Sequence, residues 1–260
     1  MPLPSRFAAF SRFSRVCVAA PVGLSLLLLL ATAAHPAPRP SPRLTARPGA
    51  PTEEPVHGLH DLGLARRRDG FVYVPDNYDP SRPSPLLVLL HGAGGAAKSA
   101  WTPYTALAGP RGLILLAIDS RSHRTWDILL GAWGPDVAFI DQALIRVFAR
   151  YHIDASRVAI AGFSDGASYA LSLGAANGDL FTHVIAFAPG SIRPVRPRSR
   201  PRLFVSHGTN DAVLPFRSTR EGIVPTLRQA GYDVTFRETN LGHEVSWDLS
   251  IEMLAWFLDR

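Results

Sequence analysis

From Phe71 onward, short β-rich runs alternate with segments of helix length, and this alternation is what most limits the fold. Leu86-Leu87-Val88-Leu89-Leu90 contains no polar residue. A strand of that kind must be covered on both faces, as strands in parallel sheets are. The pattern predicts strands at 71–74, 86–91, 113–118, 157–163, 183–188, 202–207 and 234–238, and helices at 135–151, 165–176, 218–230 and 246–258. Gly134-Pro135-Asp136 opens the first of these helices with a proline and an acid in its first turn. Strand and helix alternating through short connections imply an α/β fold with a doubly wound, mostly parallel sheet in a single domain. Hydrophobic residues make up 47% of the 260, enough to cover such a sheet on both sides. In sheets of this type chemistry collects at the carboxyl ends of the strands, and that is where the motifs of this chain fall.

Ahead of the domain, Arg6, Arg12 and Arg15 precede an apolar run from Val16 to Ala34, and Ala31-Thr32-Ala33 has the small-x-small pattern of a cleavage site. Residues 1–34 are therefore expected to be a signal peptide, with an uncleaved N-terminal anchor as the alternative. Either would place the protein outside the cytoplasm, as an exported protein or one held at a membrane by that segment alone. Residues 35–56 are rich in Pro, Arg, Ala and Ser and nearly free of large apolar side chains, the composition of a disordered tether. The domain is expected over 57–260. The net charge of +6 belongs mostly to the leader: residues 1–56 hold six arginines against Glu53 and Glu54, whereas 57–260 hold 21 basic and 19 acidic residues. No basic helix or aromatic-basic alternation is present, so a nucleic-acid partner is not expected. Cys17 is the single cysteine, which excludes an intramolecular disulfide.

Gly162-Phe163-Ser164-Asp165-Gly166 sits between an apolar strand and a helical run. A sharp turn there lifts a serine hydroxyl above the sheet edge and puts it at a helix N-terminus, whose dipole favours developing negative charge. Leu86–Leu90 runs directly into His91-Gly92-Ala93-Gly94-Gly95, a small-residue loop whose N–H groups can approach a carbonyl oxygen. The amides of Ala93 and Asp165 are the expected oxyanion donors, with Gly94 as runner-up for the first. The P-loop ending Gly-Lys-Ser/Thr is missing, which argues against a phosphate cradle.

A serine nucleophile needs a base held in one tautomer by a carboxylate. His207-Gly208-Thr209-Asn210-Asp211 follows one predicted strand, and Leu241-Gly242-His243-Glu244 follows the next. Asp211 and His243 are thus the expected acid and base for Ser164. Asp119, which ends its own strand, is the rival acid. His91 and His207 read as supports of their loops, and Asp136 and Asp141 as helix-start and helix-face residues. The remaining histidines show no metal-ligand spacing, so neither a metal nor a cofactor is expected.

Together these four motifs resemble the phospholipase/carboxylesterase group of the α/β-hydrolases, which includes the acyl-protein thioesterases. The resemblance runs from about Gly70 to the C-terminus. It implies the α/β-hydrolase fold and hydrolysis of carboxylic esters or thioesters, with small-molecule or lipid esters as substrates. Asp165 and Gly95 stand where the thioesterases commonly carry Gln and Asp, and the loop at 91–95 is also similar to those of feruloyl esterases and polyhydroxyalkanoate depolymerases. A non-catalytic binding protein on the same fold is the competing class. The Arg/Pro run from Arg193 to Arg202 is expected to be a solvated loop, or else a basic rim attracting anionic substrates. Trp101, Trp126 and Trp133 are either pocket-lining or core residues.

Overall fold

The computed structural model of the chain describes residues 41–102, 104–193 and 199–259, and the Trp101 side chain lies outside the described residues. The segment read as a signal peptide or anchor, 1–34, is also outside them. Among the described residues, no helix is long and apolar enough to cross a membrane.

Among the described residues, eight strands form one sheet: β1 (Gly58–Asp61), β2 (Gly70–Val74), β3 (Ser84–Leu90), β4 (Ile114–Ile118), β5 (Ile153–Phe163), β6 (His183–Phe187), β7 (Arg202–Gly208) and β8 (Val234–Thr239). Their order is β1-β2-β4-β3-β5-β6-β7-β8. The first two strands pair antiparallel, and β3 to β8 are mutually parallel. The helices are α1 (Ala97–Trp101), α2 (Thr105–Ala108), α3 (Pro135–Arg150), α4 (Asp165–Ala176), α5 (Val224–Gln229) and α6 (Trp247–Leu258).

Strand β3 shows why its sequence is apolar throughout. Leu86, Val88 and Leu90 pack on one side with α3 and α4, while Leu87 and Leu89 pack on the other with α1, α2 and α6. A period of two places successive side chains on opposite faces, and here both faces are dry. From β3 the chain moves to β4 on one side, then crosses back to β5 on the other. The carboxyl ends of β3 and β5 therefore flank the point where the winding reverses, the usual crevice for ligands in such sheets.

Three features depart from expectation. β1, α1 and α2 carry no clear sequence signal and were not anticipated. The helix expected over 218–230 begins as a π-helical turn, Ser218–Ile223, before α5. Residues 41–56, read as a disordered tether, instead lie against α3 and α4. Leu44 and Ala46 are buried. Asn177, the C-cap residue of α4, accepts from the Leu44 amide at 2.9 Å and donates to the Pro42 carbonyl at 2.7 Å. Asp141 on α3 accepts from the Thr45 and Ala46 amides at 2.7 and 2.8 Å, and Ala149 O accepts from the Thr52 and Glu53 amides. The segment has few apolar side chains to bury, but its backbone finds hydrogen-bond partners supplied by the domain, which is what docks it.

Candidate active site

At the end of β5, Ser164 has φ 56° and ψ −118°, a conformation that a non-glycine residue holds only when its surroundings enforce it. The flanking glycines are what permit this turn. A Cβ on Gly162 would lie 2.2 Å from the Gly166 backbone, and one on Gly166 would lie 2.5 Å from the Leu90 and His91 carbonyl oxygens. The elbow is thus pressed against the end of β3. Its backbone is tied down by Ser164 N donating to Phe187 O at 2.9 Å, and Ser164 caps the twelve-residue helix α4.

The loop after β8 brings His243 Nε2 to 2.9 Å from Ser164 Oγ, and the loop after β7 brings Asp211 Oδ2 to 2.6 Å from His243 Nδ1. Both distances are those of good hydrogen bonds, the second of charge-assisted length. Phe163 packs against the imidazole, with ring centroids 4.7 Å apart. The Asp211 side chain is fully buried, whereas that of His243 stays partly exposed at 15%. Burial alone would raise the Asp211 carboxyl. The hydrogen bonds from His243 and from the Leu214 and Val213 amides outweigh it and hold the group below the usual carboxylate range.

Gly94, the runner-up oxyanion donor, spends its N–H on Arg124 O at 2.8 Å, and Gly95 spends its own on Gly92 O. Ala93 lines the cavity beside His243, and Asp165 opens α4, where its N–H has no partner within the helix. Asp165 turns its carboxylate away, accepting from the Thr125 hydroxyl at 2.5 Å. Behind the loop, burial holds the His91 imidazole below its ordinary value. The neutral ring accepts from Ser120 N at 3.1 Å through Nε2 and donates to Gly92 O through Nδ1.

The rival acid is elsewhere: Asp119 Oδ1 accepts from Ala97 N at the start of α1. Asp136 is buried against the Arg121 and Asp127 amides, and Asp141 holds the N-terminal segment. His207 does support its loop, and it also reaches Asp211. Trp126 and Trp133 are core residues packed on Tyr169. Of the Arg/Pro run, 194–198 lie outside the described residues. Arg193 donates to Ile128 O and Gly131 O, Arg200 to Ala230 O, and Arg202 pairs with Asp233.

One feature went unseen in the sequence. A cavity of about 450 Å³ adjoins the site on the α1/α6 side of the sheet, walled by Leu89, Ala161, Phe163, Phe187 and Val245, with Ala93 and His243 also on its lining. Tyr104 and Ser250 add hydroxyls to these apolar walls. Burial pushes the Tyr104 hydroxyl up to about 12, with a Ser250 hydrogen bond opposing it. Tyr104 lies in a stretch without periodicity, so no sequence signal marked it.

A nucleophile elbow at the winding reversal of a parallel sheet, followed in chain order by an acid and a histidine, defines the class of α/β-fold hydrolases. The sequence profile of the alpha/beta hydrolase family matches residues 87–256, and the chain belongs to that family. Among curated proteins, a bifunctional acetylxylan esterase/xylanase of Neocallimastix patriciarum is 31% identical over 168 residues, covering 62% of this chain and 24% of that protein. Feruloyl esterase C of Emericella nidulans is 28% identical over 180 residues, covering 62% of this chain and 66% of its own length. The match thus spans less than two thirds of either relative. Among solved structures, esterase PE8 shares the fold with a TM-score of 0.58 at 20% identity, covering 72% of this chain and 96% of that one.

Proposed function

We propose that the chain is a serine hydrolase that cleaves carboxylic esters through an acyl-enzyme on Ser164. His243 takes the serine proton as Oγ attacks the ester carbonyl, then gives it to the leaving alcohol. Asp211 stabilises the imidazolium that forms between these steps, and the amides of Ala93 and Asp165 hold the oxyanion. One such donor contributes about 3 kcal/mol in the transition state. Water, deprotonated by the same histidine, then releases the acid. The observation that carries this reading is the unbroken line from Ser164 Oγ through His243 to a buried, ionised Asp211 at 2.9 and 2.6 Å.

The relatives named as acetylxylan and feruloyl esterases support acetyl and hydroxycinnamoyl esters as substrates. The apolar cavity beside His243 has room for an aryl acyl group, and its Tyr104 and Ser250 hydroxyls can meet a phenolic one. Thioesters and lysophospholipids are the second choice. Export through residues 1–34 belongs to the same proposal and is checked by the N-terminal sequence of the secreted product. Kinetics on p-nitrophenyl acetate and butyrate, a feruloyl ester and a thioester test the substrate, and Ser164→Ala tests the chemistry. Retention of near-wild-type turnover in that variant would end the proposal.

A further inference from the structure

His207, on β7, is buried and was expected only to support its loop. Its Nε2 lies 3.0 Å from Leu214 O and 3.1 Å from Asp211 Oδ2. Both are acceptors, so Nε2 must carry a proton. Its Nδ1 lies 2.8 Å from Thr219 Oγ1, and that hydroxyl, on the π-helical turn, also reaches Pro189 O at 3.1 Å. Whichever partner takes the threonine proton, the requirement at Nε2 stands.

The consequence is a ring of polar contacts around the carboxylate. Asp211 Oδ1 accepts from the amides of Val213 and Leu214, Oδ2 accepts from His243, and His207 Nε2, which donates to Leu214 O, lies 3.1 Å from Oδ2. Three donors bind the carboxylate, and the His207 N–H stands beside the fourth lone-pair direction. Leu214 is gripped from both ends, its N–H by Asp211 and its carbonyl by His207. Among the described residues, His243 and His207 are the titratable groups that face Asp211, and Thr219, Leu214 and the Phe216 ring face His207.

We propose that His207 is a positioning residue for the reaction proposed above: by holding the carbonyl of Leu214, whose N–H binds Asp211 Oδ1, and by keeping its own polar Nε2–H 3.1 Å from the oxygen that receives His243 Nδ1–H, it fixes the plane of the Asp211 carboxylate and stabilises its charge. The proposal rests on the Ser164–His243–Asp211 reading. Without that donor the carboxylate would be free to rotate, and its full charge would fall on His243, favouring the imidazolium. The free enzyme would then lose its base at higher pH.

The test compares kcat/KM against pH on p-nitrophenyl acetate for the wild type and for His207→Ala, His207→Gln and Thr219→Val, with thermal melts of each. A hydrogen bond to a charged group is worth roughly ten- to a hundredfold in rate if wholly lost. His207→Ala is expected to lower kcat by at least about tenfold, with KM within about twofold, and to move the acidic limb of the profile up by about half a pH unit. Glutamine can place an N–H near the same point and is expected to restore most of the rate and the limb. Thr219→Val, which leaves Nε2 in place but unsteadies the ring, should fall between. If His207→Ala fails to fold, the glutamine and valine profiles carry the test. An unmoved limb in every folded variant, with losses that track the melting temperature alone, would overturn the proposal. A wild type without esterase activity, or activity that survives Ser164→Ala, would instead remove the reading beneath it.

Discussion

Asn177 offers a direct measure of how firmly the N-terminal segment is built into the domain. Its side chain is fully buried and makes three hydrogen bonds: it accepts from Leu44 N, and it donates to Pro42 O and to Leu173 O. In Asn177→Ala the Leu173 carbonyl keeps the Asn177 amide, and Pro42 is exposed enough for water to replace its partner. The Leu44 amide, beside a side chain only 3% exposed, is left without one. A buried orphaned donor costs about 2 kcal/mol, and two exchanged neutral bonds add about half a kilocalorie each, for a total of about 3 kcal/mol. In a domain of this size that lowers Tm by roughly 6–12 °C. Asn177→Asp keeps the acceptor but sets a buried carboxylate oxygen against the Pro42 and Leu173 carbonyls at the C-terminal end of α4, so it should lose at least as much. Differential scanning calorimetry of the three proteins at pH 7 makes the comparison. A shift below about 2 °C for the alanine variant would refute the docked segment.

Other predictions concern the elbow and the buried ionisable groups. Gly166→Ala drives a methyl against the Leu90 and His91 carbonyls and must push α4 from the oxyanion loop. Esterase kcat should then fall by about a hundredfold, since misplacement near 1 Å has that effect. Asp127 is pushed up to about 6 by burial and then by the nearby Asp136 carboxylate. An acid whose folded value is raised is at no disadvantage below its unfolded value near 3.8; its penalty grows as pH climbs from there to about 6 and is constant above. Asp127→Asn should therefore stabilise at pH 8, by about 2 kcal/mol after allowance for partial exposure, and hardly at pH 4, as denaturant melts at both would read. His183 is lowered to about 4 by burial and then by Arg202. Its contribution is intact above the ordinary imidazole value and lost as pH falls from there toward 4, a loss of about 3 kcal/mol that His183→Phe should abolish in the same melts.

The parts of the fold legible in the sequence are those whose physics is local. The runs in β3 and β5 are apolar because both sheet faces are covered, and Gly162 is a glycine because the Gly166 backbone presses on it four residues away; Gly166 meets the distant Leu90 and His91 carbonyls, and only the motif's spacing marks it. The choice between Asp211 and Asp119 rested on chain order, since both follow strands, and it is the contacts of Asp211 with His243 and of Asp119 with the α1 amide that separate them in space. β1 has four residues of intermediate to exposed character, too few to establish a period. The docking of residues 41–56 left no trace in their own composition, because the partners are side chains a hundred residues away, on α3 and at the end of α4. The second contact of Asp211, from His207, follows from the geometry of one tight turn that spacing alone does not convey.

Intact-protein mass spectrometry after treatment with a fluorophosphonate addresses the central claim at the atom concerned. The account predicts one adduct per chain, carried by the peptide containing Ser164, formed rapidly in the wild type and absent in Ser164→Ala, with His243→Ala slowed by orders of magnitude. A folded wild type that never reacts, or an adduct that persists on another residue when Ser164 is gone, would contradict it.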